Sequence, residues 1–155
     1  MTEPAAASDQ ALSTLRFMTR DDLAAVLEIE RNSFPAPWPR SAFELAIAAP
    51  DLYSVVADGG SLLGYLIACP DVNDLLIANI AVHPAARGHG LGTRLLNAAL
   101  VRARHLGLTA CRLDVRVSNT DAQRLYRHLG FAPVGVRDGY YQQPPEDAIT
   151  MRRVL

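Results

Sequence analysis

Seven residues, Arg87 to Thr93 ("RGHGLGT"), hold three alternating glycines and one arginine directly after the apolar run "LLIANIAVHPAA". Glycines at this density let something approach the backbone closely. The amphipathic stretch that begins at Leu91 predicts a helix, so the loop ends at a helix N-terminus. The first amides there lack intrahelical partners and the macrodipole adds partial positive charge. Arg87 supplies a full charge. Arg87, Gly88, His89, Gly90, Leu91, Gly92 and Thr93 therefore read as a phosphate cradle, the plainer reading being a tight turn. A dinucleotide fingerprint needs G-x-G-x-x-G, whereas Gly88, Gly90 and Gly92 alternate and Thr93 stands in the critical place. A Walker loop needs a Gly-Lys-Ser/Thr end, and no lysine is present. What remains is R-x-x-G-x-G after a buried strand.

Other chemistry is sparse. His83, His89, His105 and His128 have no ligand spacing with each other or with the cysteines, so no metal site is expected. Cys69 and Cys111 sit in apolar, strand-like runs and read as buried free thiols. The formal net charge of −1 argues against a general nucleic-acid or membrane binder. The opening "MTEPAAASDQALS" lacks the cationic start and apolar core of a signal peptide. It reads as a disordered tail over residues 1–13, ahead of a single domain over 14–155. No apolar run approaches the roughly 20 residues that span a bilayer. The expected compartment is the cytoplasm.

The elements that must hold the loop follow from periodicity. Leu15 to Met18 reads as a strand, and Thr19 with Asp22 three residues on as a capping box for a helix through Leu23, Val26, Leu27 and Glu30. Three prolines in "SFPAPWPRSAF" force an irregular linker, followed by a short helix over 40–48. "YSVVADGGSLLGYLIAC" predicts a hairpin turning at Gly59-Gly60. "LLIANIAV" reads as a third strand buried on both faces. The helix after the loop puts Leu91, Leu95, Ala98, Ala99 and Ala103 on one face and stops at Gly107. "ACRLDVRV" is the next strand. Asn119 opens a helix with Ala122, Leu125, Tyr126 and Leu129 inward, stopped by Gly130. "APVGVRDGYY" and "AITMRRV" form a closing hairpin across a "QQPPED" loop.

Arg87-x-x-Gly90-x-Gly92 resembles the pyrophosphate loop of the GNAT acetyltransferase superfamily, which holds acetyl-CoA, and the order of elements matches along residues 14–154. "SFPAPWPRSAF", "NIAVHPAARGHGLGTRLL", "LDVRVSNTDAQRLYRHLGF" and "VGVRDGYYQQPPEDAITM" are similar to four segments of its RimI-type branch. Members of that branch acetylate the N-terminal alanine of the eighteenth small-subunit ribosomal protein. The resemblance implies the GNAT fold, an α/β (α+β) arrangement with a mixed central sheet of about six to seven strands flanked by about four helices. It implies acetyl-CoA as co-substrate and, as partner, the N-terminus of a ribosomal protein or similar peptide; from the histidine spacing and charge above, no metal, direct nucleic-acid contact or membrane is expected.

Residue by residue, the resemblance assigns the backbone of Ile80, Ala81 and Val82 to the thioester and pantetheine, with the Val82 amide as oxyanion donor. Residues 87–93 take the pyrophosphate. Asn119 contacts coenzyme A, and asparagine is also a preferred N-cap. Tyr126 protonates the departing thiolate, although its spacing is equally that of a core aromatic. Phe34, Pro37 and Trp38 from the first linker and Arg137, Tyr140 and Tyr141 from the last hairpin form the substrate end.

The base departs from the family pattern, which has glutamate where this chain has Asp114, one methylene shorter. A water relay spans that gap. An α-amine titrates near 7.7–8.0, so freeing it at pH 7 costs about 1–1.4 kcal/mol, against about 4.6 for a lysine. The alternative reading pairs Asp114 with Arg116 on the same strand face. Glu30 and Glu146 are lesser base candidates, read first as surface or loop-pairing charges. Two other functions stay open: a GNAT enzyme for a lysine or small-molecule amine, and a non-catalytic acetyl-CoA-binding domain. Tyr126 and the aromatic segments weigh against the second.

Overall fold

A seven-stranded sheet forms the centre of the protein, in a computed structural model that describes residues 13–155. Its strands are β1 (Thr14–Phe17), β2 (Tyr53–Asp58), β3 (Leu62–Asp71), β4 (Asp74–Val82), β5 (Ala110–Arg116), β6 (Ala132–Gln142) and β7 (Pro145–Val154). The four α-helices are α1 (Leu23–Ser33), α2 (Arg40–Ala48), α3 (Leu91–His105) and α4 (Thr120–His128). Strand order is β1-β2-β3-β4-β5-β7-β6, antiparallel except for β4 with β5. Residues 1–12 of the expected tail lie outside the described residues. Ser13, assigned to that tail, is buried instead, because Arg94 of α3 donates to its carbonyl at 2.9 Å.

Strand alternation sorts the core onto both faces. Val55, Leu66 and Ala68 point to one side, against Leu95, Leu96, Ala99 and Leu100 of α3 and Tyr126 of α4. Val56, Tyr65 and Ile67 point to the other, against Val26 and Ile29 of α1 and Phe43 and Ala46 of α2. The entry to α1 follows the capping box, the Thr19 amide donating to the Asp22 carboxylate at 2.8 Å. Arg16 donates to both oxygens of the same carboxylate, which holds the Asp22 carboxyl below its ordinary value. The inward face of α3 includes Leu96 and Leu100 and leaves Ala98 half-buried. Gly107 and Gly130 take positive φ, of 72° and 87°, just past the ends of α3 and α4.

β4 is where the structure departs from a strand buried on both faces. Burial alternates along it, and Ala78 is exposed. Against β3, Ala68 faces Ile77 and Ile67 faces Asn79, so Ala78 is an extra residue in the ladder. One added residue inverts the faces beyond it. Ile77 packs with the α3 side, whereas Ala81 joins the α1 side. With β5 the strand pairs only through Asp74, Leu75 and Leu76. Beyond those three residues the two parallel strands separate.

The closing hairpin is longer than expected. The ladder runs to Gln142 opposite Pro145, so most of the expected "QQPPED" loop is strand. Arg116 accounts for this, donating to the carbonyls of Gln143 and Pro144 and pairing with Glu146. β7 enters between β5 and β6 and faces β5 along Ala110–Arg116. Cys111 is buried and Cys69 half-buried, and both are free thiols. Burial pushes the Cys111 thiol up to about 11.

Candidate active site

The gap between β4 and β5 opens into a pocket. Its walls are Ile77, Ala78, Asn79 and Ile80 of β4, and Leu113, Asp114, Val115 and Arg116 of β5. Glu30 and Ser33 from α1, Phe34, Pro35, Ala36 and Trp38 from the linker, Asn119, Tyr126 and Tyr141 complete it. Residues distant in sequence thus meet because one sheet splits. Of the expected substrate residues, Phe34, Trp38 and Tyr141 converge there. Pro37, Arg137 and Tyr140 do not line the pocket. Tyr140 is half exposed and meets the Tyr141 ring edge-on, at 5.0 Å between centroids. Arg137 stacks over Tyr140 and reaches Asp114 and Thr150, so both stand behind the wall.

Backbone groups along β4 face this gap. The His83 amide donates to the Leu63 carbonyl, which makes Gly64 and Val82 a pair that exchanges no ladder bonds. The amide and carbonyl of Val82 therefore point away from β3, and those of Ile80 share that parity. The Val82 carbonyl accepts from Arg87 Nε at 3.0 Å. A second Arg87 nitrogen donates to Ser33 Oγ at 3.1 Å. Arg87 is thus turned back onto the ends of β4 and α1, whereas the sequence reading set its charge against the loop. Ala81, Val82 and residues 87–93 lie beyond the pocket lining, toward the N-terminus of α3.

At that terminus Gly88 and Gly90 have φ of 81° and 84°, and a Cβ built on either meets no atom within 4 Å. Gly90 is the residue before the helix, and the first intrahelical bond runs from the Arg94 amide to its carbonyl. The amides of Leu91, Gly92 and Thr93 precede that bond and face outward along the axis. Gly92 has a different reason to be glycine: a Cβ would lie 3.1 Å from Leu125 of α4. The His89 ring is bonded to the Arg87 carbonyl at 2.9 Å, which stiffens the loop.

Asp114 lines the pocket but does not pair with Arg116. Thr150, directly opposite on β7, donates to its Oδ1 at 2.6 Å, and Arg137 Nε stands 3.3 Å away. Directly opposed cross-strand residues lie closer than i, i+2 neighbours along one strand, so the partners come from β7 and β6. Oδ2 makes no hydrogen bond among the described residues. Arg116 goes to Glu146 at 3.1 Å, and Glu146 also accepts from the Ser118 amide at 2.6 Å. Glu146 is the loop-pairing charge expected, and the Ser118 hydroxyl first, then the Ser118 amide and Arg116, hold its carboxyl below its ordinary value.

Glu30 contradicts the surface reading. It is 1% exposed and accepts from Tyr65 Oη at 2.5 Å, Asn79 Nδ2 at 2.9 Å and the Trp38 amide at 2.9 Å. Its i−7 and i−4 positions, Leu23 and Val26, are both buried, and the helical spacing that put Glu30 in line with them was the signal of its burial. Tyr126 is 8% exposed, with its ring 6.1 Å from that of Phe131. Burial pushes its hydroxyl up to about 12, as it does for Tyr141, where the nearby Asp114 charge adds to it. Asn119 caps α4, accepting from the Ala122 amide at 3.2 Å, and also lines the pocket, so its cap role is met. Gln123, absent from the sequence reading, is buried and secures the end of β5 by donating to the Arg116 and Val117 carbonyls. Among the described residues no group of three or more His, Cys, Asp or Glu could hold a metal ion, and no helix is long and apolar enough to cross a membrane.

Residues 23–131 match the model of the Acetyltransferase (GNAT) family. The chain is 38% identical over 147 residues to the N-alpha-acetyltransferase RimI of Mycobacterium tuberculosis, covering 90% of this chain and 91% of that one. It is 30% identical over 142 residues to the ribosomal protein bS18-alanine N-acetyltransferase of Escherichia coli, covering 90% and 96%. The crystal structure of the ribosomal-protein-S18-alanine N-acetyltransferase from Escherichia coli superposes with a TM-score of 0.83 at 28% identity, over 92% of this chain and 94% of that one. NAA60 of Arabidopsis thaliana, solved in complex with acetyl-CoA, shares the fold with a TM-score of 0.83 at 20% identity, over 92% and 98%.

Proposed function

The chain belongs to the GNAT acetyltransferase family, and from that premise we propose that it acetylates the α-amine of a protein N-terminus, an alanine-initiated ribosomal-protein N-terminus of the kind its relatives modify. The observation that carries the reading is the split between β4 and β5. It sets a strand edge with free peptide groups beside a carboxylate, a buried phenol and an aromatic wall in one pocket.

The loop suits the pyrophosphate of coenzyme A. Open space over Gly88 and Gly90 meets three free amides at the α3 N-terminus, where a phosphate is stabilised by dipole and hydrogen bonds together. Arg87 adds charge from the edge. Toward the gap, the Val82 amide is oriented to donate to the oxygen of the thioester as it gains charge. A preorganised donor of this kind is worth roughly 3–4 kcal/mol in a water-poor site.

The amine nitrogen forms the new C–N bond and the C–S bond breaks. Asp114 takes the ammonium proton through a water on its Oδ2 side, since Oδ1 is committed to Thr150. Tyr126 donates to the leaving sulfur, and the phenolate recovers a proton from the one the nitrogen sheds as the amide forms, so one proton passes to Asp114 and one, net, to the thiol. The raised pKa of Tyr126 keeps the proton in place across the working range, but an ordinary thiol near 8.5 makes complete transfer uphill by roughly 4–5 kcal/mol. The same burial raises the proton affinity of the thiolate, which narrows the gap. An α-amine needs little from so indirect a base, which is why the site suits an N-terminus better than a lysine.

Release of coenzyme A thiol with an alanine-initiated peptide tests the reading. The control is the same peptide, N-acetylated and carrying an internal lysine. We expect the free N-terminus to be preferred by about 10²-fold or more, from the roughly 3 kcal/mol of extra deprotonation a lysine requires. Faster turnover of the lysine peptide, or acetyl-CoA binding without turnover of either, would overturn it.

A further inference from the structure

Glu30 joins three of the parts that bound the pocket, α1, β4 and the linker, and ties them to β3 behind. It stands near the end of α1, its Oε1 takes the Tyr65 hydroxyl of β3 and the Asn79 amide of β4, and its Oε2 takes the Trp38 amide of the linker. Val26 and Ile29 beside it on α1 and Tyr65 of β3 belong to the apolar cluster on this side of the sheet, and Glu30 itself is 1% exposed. No Arg or His among the described residues forms an ion pair with it. A buried carboxylate without a cation is expensive, and it holds its place only when donors satisfy it. Here the donors do more than satisfy a charge, because each comes from a different element.

The bulge at Ala78 makes the contact possible. Without that extra residue Asn79 would face the α3 side, as Ile77 does, out of reach of α1. With it, Asn79 turns to Glu30, while its neighbours Ala78 and Ile80 line the gap. The linker has no ladder or helix of its own to locate it. Along Phe34–Trp38 its hydrogen-bonded fixed points are the Phe34 amide on the Glu30 carbonyl and the Trp38 amide on the Glu30 side chain, with the Trp38 ring also packed on Phe43. Both ends of the aromatic wall thus hang from one residue.

We propose that Glu30 is a positioning residue that sets the distance between the aromatic linker and the split strand, and so controls the binding of the amine substrate through the elements it ties together. The proposal rests on the acetyltransferase reading above. Three donors occupy the two oxygens of Glu30, so its effect passes through Trp38 and Asn79.

The test is Glu30→Gln in the full chain. The replacement keeps the shape, but its amide nitrogen cannot accept from the Trp38 or Asn79 donor. We expect the KM for the peptide to rise at least 10-fold, the Kd of acetyl-CoA to stay within twofold, and the pH profile of kcat/KM to keep its midpoint. Hydrogen exchange at the Trp38 amide should accelerate together with the rise in KM. Should Glu30→Gln not fold, Asn79→Ala removes the strand side of the tie and should give the same split. A shifted or flattened pH profile would make Glu30 a base and overturn the proposal. Parallel loss of both substrates with a large fall in Tm would make it only structural, and unchanged KM would remove it altogether. The comparison uses whichever amine the wild-type enzyme acetylates fastest. Failure of the alanine peptide with the wild type therefore sinks the substrate assignment, whereas the variant alone decides the role of Glu30.

Discussion

Asp114 and Tyr126 pose the sharpest questions at the scale of single side chains, because each has a structural role beside its chemical one. Asp114 is anchored to Thr150 and Arg137 through one oxygen and open through the other. If the open oxygen serves a water-relayed base, Asp114→Asn lowers kcat/KM most at pH 6–7, where the ammonium form dominates. The loss shrinks above pH 8, where the amine is already free. Equal loss at every pH, measured across pH 6–9, would make the carboxylate an anchor for β7 instead. Tyr126 touches Phe131 yet lines the pocket. Tyr126→Phe keeps the ring and should cut kcat by roughly 10²-fold while leaving acetyl-CoA affinity and Tm near wild type. Because burial holds the phenol near 12, the wild-type rate should show no alkaline loss from this group below about pH 10. A variant with full kcat would return Tyr126 to the core.

The split of β4 from β5 is the element on which the site depends, and something must hold its closed end. That end carries an ion-pair cluster. Asp74 takes two hydrogen bonds from Arg152 of β7, at 2.8 and 3.0 Å, and lies 3.6 Å from Arg112 of β5, which also pairs with Asp71. Only three residues of each strand pair there, so the side chains reinforce a short ladder. Asp74→Asn should lower Tm by about 3–8 °C at pH 7. Arg152 holds the Asp74 carboxyl below its ordinary value, so its stabilisation is complete above an unfolded pKa near 3.9 and disappears as pH falls through the lower folded value. The Tm difference between wild type and variant should therefore be flat from pH 5 to 8 and close below about pH 4. A difference that persists in acid would show that the aspartate acts through packing instead of charge.

Across the whole molecule, the α3 N-terminus and the split lie along one edge of β4, so a single extended ligand can engage both. Acetyl-CoA at about 100 times its Kd should raise Tm by roughly 5–10 °C, with ATP and NAD far behind. Gly90→Val should remove most of that shift, since a side chain at φ 84° is strained and fills the open space over the amides. A shift with ATP equal to that with acetyl-CoA would contradict the assignment. All fifteen basic side chains counted as lysine or arginine are arginine. The enzyme therefore carries no lysine side chain to compete with peptide for the acetyl group.

How much of this could be read without coordinates depended on the range over which each interaction acts. The glycine loop, the Asn119 cap, the capping box at Thr19 and the 40–48 helix are local. Neighbours within four residues decide them, and the one-dimensional order of residue types contains those neighbours. The seven strands and four helices follow from periodicity for the same reason. The partner of Asp114, the burial of Glu30 and the reach of Arg87 to Ser33 depend on residues 36, 49 and 54 positions away. The bulge at Ala78 belongs with these, because an extra residue exists only relative to a partner strand, and it alone sends Asn79 to one face and Ile77 to the other. Sequence by itself therefore determined the elements and the chemical groups they carry. The tertiary structure decided which groups meet, because register between strands is set by packing on two faces at once, a property of no single segment.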